Sequence, residues 1–208
     1  MPKVLRLAVL VSGGGTTLQA LMDAEATGEL PAEIVLVVSS RREAFALERA
    51  RRRRIPALVL RPRDFPSARL HDEALVKALT DAHPDLVILA GYLSVVGEAT
   101  IAAFKGRVMN IHPSLLPAFG GKGLYGRRVH QQVLDYGCKV TGATVMFVEA
   151  ELDAGPIILQ AAVPVHEDDT CDTLAARVGD VERGLYPVAI KLYAEGRLRP
   201  VGRKVTIL

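Results

Sequence analysis

Cysteine is scarce in this chain, neither sign of charge is in large excess, and long apolar runs are missing altogether. The two cysteines, Cys138 and Cys171, show no Cys-x-x-Cys spacing. That excludes a disulfide framework and a zinc ribbon, and leaves two free thiols suited to a reducing cytoplasm. The apolar stretch within the opening MPKVLRLAVLVSGGG falls far short of the roughly 20 residues of a membrane span and lacks a small-residue cleavage pattern. It reads as a strand, with no signal peptide and no membrane partner expected. A net charge of +3 is too small to imply nucleic acid as a partner. His71, His83, His112, His130 and His166 form no HExxH array, so no metal is expected. Internal repeats, low-complexity tracts and linkers are missing as well.

What remains is the balance of a soluble globular protein: 50% hydrophobic and 24% charged residues over 208 positions, enough for one domain with a substantial core. The basic cluster Arg49, Arg51, Arg52, Arg53 and Arg54 closes an expected helix. There cations suit the helix dipole, and a solvated face is the reading.

Apolar β-rich runs at 5–11, 34–38, 57–60, 86–89 and 107–111 alternate with helix-like segments near 16–27, 43–53, 66–82 and 97–104. Runs apolar on both faces and spaced by helices predict a doubly wound α/β domain with a mostly parallel sheet. After residue 111 the pattern changes. A Gly- and Pro-containing loop leads to a helix over 127–136, then to longer β-like runs at 139–148 and 156–165 that form an antiparallel C-terminal extension of the sheet. Asp169 and Thr170 offer a helix start, the segment to 194 reads as helix with a kink expected at Pro187, and a hairpin over 198–201 and 204–207 closes the chain.

Three motifs carry chemistry. Ser12-Gly13-Gly14-Gly15-Thr16-Thr17-Leu18 follows the first strand and opens a helix. Uncrowded backbone amides and two hydroxyls at a helix N-terminus make an anion site, against the plainer alternative of a glycine turn with a Thr cap. A dinucleotide fingerprint wants glycine or alanine where Leu18 stands and an acid where Ser39, Ser40, Arg41 and Arg42 stand, so NAD is disfavoured. NADP, with Arg41 or Arg42 on its extra phosphate, stays open.

The second motif, MNIHPSLLPAF at 109–119, puts Asn110 and His112 on one side of a strand end, followed by the stiffening Pro113 and Pro117. An amide can donate to a developing oxyanion and an imidazole can carry a proton near neutrality. The third is Asp153, next to Ala154-Gly155-Pro156. It is either a solvated loop acid, as Glu149 and Glu151 are expected to be, or a carboxylate that favours the charged form of His112.

Taken together in this order, the three motifs resemble the phosphoribosylglycinamide formyltransferases. The likeness runs through LVSGGGTTLQAL, PDLVILAGYL, MNIHPSLLPAF, VTGATVMFV and ELDAGPIILQ, essentially the whole chain. The resemblance implies a Rossmann-like formyltransferase fold, a single domain over 1–208 with a phosphate-binding half (1–111) and a catalytic and folate half (112–208), and formyl transfer in purine biosynthesis. The substrates it implies are phosphoribosylglycinamide and 10-formyltetrahydrofolate, without a metal, in a cytoplasmic monomer or weak homodimer. Its length argues against methionyl-tRNA formyltransferase and formyltetrahydrofolate deformylase, which carry further domains.

By the same resemblance Asn110, His112 and Asp153 are the catalytic set. Gly15, Thr16, Thr17, Pro113 and Glu182 hold phosphoribosylglycinamide, while Leu93, Ser94, Val95, Val96, Ala150, Glu151 and Leu152 line the folate site. The stretch 120–126 is expected to form a flap. Met146, Ser94, Gly179 and Arg183 depart from the residues common in the family, which bears on the identity of the amine more than on the chemistry. Another amine, such as an amino-sugar nucleotide, is the alternative within this chemistry, and an NADP oxidoreductase the alternative outside it.

Overall fold

The structure is a computed structural model describing residues 4–208. The chain forms two compact units, Met1–Met109 and Asn110–Leu208.

In the first unit, β1 (Leu5–Val11), β2 (Ala32–Ser39), β3 (Ala57–Val59) and β4 (Leu86–Leu89) lie in the order β3-β2-β1-β4. Their pairings are all parallel. A parallel strand covered on both faces has no wet side, which is why residues 7–11 of β1 are unbroken apolar sequence and fully buried. Each such Leu or Val contributes about 1.5–3 kcal/mol by leaving water. β3, short and exposed, lies at an edge.

Helices α1 (Thr16–Ala26), α2 (Phe45–Arg52), α3 (Ala68–Ala82) and α4 (Glu98–Ala103) occupy the segments between and after these strands. α3 starts two residues later than its periodicity predicts, because the Ser67 side chain accepts from the Leu70 amide and acts as the cap. A 3₁₀ turn at Pro62–Asp64 was not foreseen. Asp72 of α3 accepts from the amides of Gly97, Ala99 and Thr100 at 3.1, 2.9 and 3.3 Å, which satisfies the opening donors of α4.

β5 (Val108–His112) leads into the second unit, which continues with α5 (Arg127–Tyr136), β6 (Val140–Phe147), β7 (Ile157–Pro164), α6 (Cys171–Ala194), β8 (Leu198–Val201) and β9 (Lys204–Ile207). The order here is β6-β7-β9-β8, with antiparallel pairing of β6 to β7 and of β8 to β9. The backbones of β6 and β7 approach so closely that a Cβ on Gly142 would lie 2.0 Å from the Ala161 carbonyl oxygen, so only glycine fits.

The mixed α/β fold expected from the alternation is therefore present, with parallel pairing early and a mainly antiparallel C-terminal extension. At the start of α6, Thr170 and Thr173 form a reciprocal capping box. The helix expected up to residue 194 is present as one 24-residue element with Pro187 inside it.

Candidate active site

In the first unit, the chain leaves β1 through Ser12 and turns into α1 at Gly15, which caps the helix in the left-handed conformation with φ 71°. Glycine is required twice over there: a side chain would strain the backbone, and its Cβ would lie 2.7 Å from the Ala46 Cβ. Gly13 and Gly14, by contrast, have open space where a Cβ would stand. Thr16 is exposed and Thr17 half-buried, so the first turn of α1 presents amides and hydroxyls to solvent. Free amides at a glycine turn that opens a helix are chemically able to take an anion.

Arg49 adds a feature that the sequence reading missed by treating the arginine cluster as a solvated face. Its Nε donates to the Gly14 carbonyl at 2.9 Å and its Nη1 to the Gln19 side chain at 2.8 Å, with the guanidinium over the Phe45 ring. A helix pattern cannot distinguish an arginine that reaches back 35 residues from one that faces water. Arg51 and Arg52 do pair with Glu48 on the surface, as a solvated face predicts.

The loop after β4 holds Leu93, Ser94, Val95 and Val96. Val96 is buried, whereas Leu93 and Val95 are 40% and 76% exposed. Two apolar side chains held out to solvent on one loop suit an apolar ligand better than a core.

The second unit brings together Asn110, His112 and Asp153. Strand alternation puts Asn110 and His112 on one side of β5, the first half-buried and the second buried. Asp153 adopts a left-handed backbone, φ 54°, which Asp tolerates better than most residues. Its Oδ2 lies 3.7 Å from His112 Nδ1, with both side chains under a tenth exposed. That separation is too long for a direct hydrogen bond but within ion-pair range. The same Oδ2 accepts from the Gly121 amide at 2.9 Å. His112 Nε2 lies 2.8 Å from the Phe119 carbonyl oxygen. A carbonyl only accepts, so Nε2 carries a proton.

The turn that holds His112 is itself held from β6 and β7. Thr144 Oγ1 donates to the Ser114 carbonyl at 2.7 Å and accepts from the Leu116 amide at 3.0 Å and from Gln160 Nε2 at 2.9 Å. The hydroxyl's one donor and two acceptor positions are all used. Gln160 also donates to the Leu116 carbonyl at 2.9 Å, and Ser114 Oγ to the Ala118 carbonyl at 2.6 Å. Neither Thr144 nor Gln160 was singled out from the sequence; the only signal was a buried Thr inside an apolar run.

Two further ionisable groups lie in this unit. Burial pushes the Glu182 carboxyl up to about 7, with the Arg183 charge opposing. His130, on the buried face of α5, is lowered to about 4 by burial first and then by the charges of His112 and Arg127. Among the described residues its Nδ1 has no hydrogen-bond partner. Ala150, Glu151 and Leu152 are exposed in the loop leading to Asp153, and Pro113 is half-buried after His112. Among the described residues no group of three or more His, Cys, Asp or Glu side chains is placed to hold a metal ion.

The family described as formyl transferase matches residues 5–190. The chain is 40% identical over 195 residues to the phosphoribosylglycinamide formyltransferase of Escherichia coli (strain K12), covering 94% of this chain and 90% of that protein. It is 39% identical to the enzyme of the same name from Haemophilus influenzae, over 93% of this chain and 89% of that one. The crystal structure of glycinamide ribonucleotide transformylase 1 from Symbiobacterium toebii superposes with a TM-score of 0.94 at 48% identity, covering 99% of this chain and 94% of that one.

Proposed function

The chain belongs to the formyl transferase family, and from that premise we infer that it moves a formyl group from 10-formyltetrahydrofolate to the amine of phosphoribosylglycinamide in purine biosynthesis. Relatives that bear this name and cover nine-tenths of their own length support the activity. The observation that carries the mechanism is the buried His112–Asp153 pair beside Asn110.

The substrate amine attacks the formyl carbon, a C–N bond forms, and the carbonyl electrons move onto oxygen. Asn110 and protonated His112 stabilise that oxyanion. The intermediate collapses as the bond to the folate N10 breaks, and the proton lost by the amine ends on that nitrogen. Asp153 keeps His112 charged and helps carry the proton. Because His112 Nε2 donates to the Phe119 carbonyl in this structure, donation from that nitrogen to an oxyanion requires the 119–121 turn to give way. The flap role of 120–126 rests on this contact and on the bond from Gly121 to Asp153.

In the first unit, Gly15, Thr16 and Thr17 take the substrate phosphate, and Leu93, Ser94, Val95 and Val96 take the folate. In the second unit, Glu182 and Pro113 hold the glycinamide part, and Ala150, Glu151 and Leu152 offer folate contacts. Burial raises the Glu182 carboxyl to about 7, and such a carboxyl can accept a hydrogen bond from a neutral amine. The two free cysteines support a cytoplasmic setting, and no helix among the described residues is long and apolar enough to cross a membrane.

The test is formyl transfer by the purified protein, followed by folate absorbance, with a blank lacking the amine. Turnover should require phosphoribosylglycinamide, and His112→Ala should lower kcat by about 10²–10⁴-fold. Folate binding without formylation of this amine would overturn the substrate and redirect the search to amino-sugar nucleotides. Unchanged turnover in the variant would overturn the mechanism.

A further inference from the structure

Ser12 directly precedes the three glycines of the anion-binding turn, yet its side chain does not face that turn's ligand space. It is 2% exposed. Its Oγ accepts from the Leu93 amide at 2.8 Å and lies 2.6 Å from the Ser40 Oγ. One hydroxyl thus ties together the ends of β1, β2 and β4, which are far apart in sequence. The tie to Leu93 is the first of two pins on the loop over 93–97; the second is the bond from the Gly97 amide to Asp72. Between the pins the loop holds out Leu93 and Val95. The donor and acceptor count closes: a serine oxygen offers one hydrogen and two lone pairs, enough for the Leu93 amide and the Ser40 hydroxyl together.

We propose that Ser12 is a positioning residue for the folate loop: although it sits in the phosphate-binding segment, it governs affinity for the folate rather than for the phosphorylated amine. The proposal rests on the reading of residues 93–96 as folate contacts. The physical reason is that the glycine turn takes its shape from other bonds. Ala46 donates to the Gly13 carbonyl, Arg49 donates to the Gly14 carbonyl, and Gly15 accepts the first helical bond from Gln19. None of these passes through the Ser12 hydroxyl. The Leu93 amide has that hydroxyl as its acceptor, and without it the loop loses its first pin.

The experiment compares steady-state kinetics of Ser12→Ala, Ser12→Cys and Ser12→Thr with those of the unaltered protein, and follows hydrogen exchange at the Leu93 amide. The Ala variant should raise KM for 10-formyltetrahydrofolate by about tenfold while KM for the amine substrate and kcat stay within about twofold, the loss expected from one unmet buried donor. Exchange at Leu93 should quicken in parallel. Ser12→Cys, which fills the space with a poor acceptor, should move in the same direction, so the proposal stays testable if the Ala variant does not fold. Ser12→Thr, which keeps the hydroxyl, should restore folate KM. A folded Ala or Cys variant with unchanged folate KM, or with both KM values rising together, would overturn the proposal. Absence of formyl transfer by the unaltered protein would instead count against the proposed function, and the exchange rate at Leu93 would still report whether Ser12 holds the loop.

Discussion

The glycine turn of the first unit and the His112 turn of the second are built by opposite means. Residues 13–17 present backbone amides and two hydroxyls, and their shape depends on a glycine that no other residue can replace without a clash at Ala46. The His112 turn depends on side chains: Thr144 and Gln160 reach in from β6 and β7, and Asp153 reaches back across 32 residues to the Gly121 amide. A backbone site tolerates changes in its neighbours but not in its glycine. A side-chain site is sensitive to a lost partner, because the hydroxyl and amide groups that hold the turn already have their bonds assigned.

The largest effect that would sharpen this contrast is expected at Asp153. Asn keeps the size and accepts the left-handed backbone, so Asp153→Asn removes only the charge facing His112. We expect kcat to fall by about 10²–10⁴-fold with little change in either KM. A change confined to KM would mean that the carboxylate binds substrate instead of supporting proton transfer.

Gly15→Ala probes the other region. Its φ of 71° and the 2.7 Å approach to Ala46 predict a stability loss of about 1–3 kcal/mol, together with a rise in KM for the phosphorylated amine that exceeds any fall in kcat. Urea unfolding and amine titration measure the two parts. Equal losses in kcat for Gly15→Ala and Asp153→Asn would break the comparison, since the turn would then be acting on the chemistry.

The smallest expected effect is in pH dependence. The Glu182 carboxyl, at about 7 against its ordinary 4.5, keeps a proton in the folded state that the unfolded chain has released. Its stabilising contribution is complete below about pH 4.5 and is lost as the pH rises through about 7. His130, at about 4 against 6.5, has the opposite sign: its contribution is present above about pH 6.5 and is lost as the pH falls through about 4. The two therefore offset each other between these limits. Glu182→Gln should remove the loss at higher pH and gain about 1 kcal/mol near pH 8, a figure held down because the residue keeps part of its surface in water. Urea midpoints against pH for this variant would show it; a profile parallel to that of the unaltered protein would mean that Glu182 titrates normally.

Much of the fold is legible in the sequence. Both-face burial made β1, β2 and β4 legible as apolar runs, and the helices between them followed from spacing. Errors fell where side-chain bonds override a local pattern. Ser67 moved the start of α3. Arg49 was misread because its partner Gly14 is distant in the chain. The candidate site was legible to different depths: Asn110 and His112 announced themselves through strand alternation and the prolines after them, whereas Asp153 was ambiguous between solvent and site.

The sequence by itself determined the alternating α/β pattern, the glycine turn and the placing of Asn110 and His112 on one side of a strand end, because these follow from backbone geometry over a few residues. Tertiary structure alone decided that Asp153 faces His112, that Thr144 and Gln160 hold the turn, and that Ser12 bonds to Leu93. The reason is physical: a buried side chain's role is set by which donor or acceptor lies within hydrogen-bond reach, and in this chain those partners come from segments 16 to 81 residues apart.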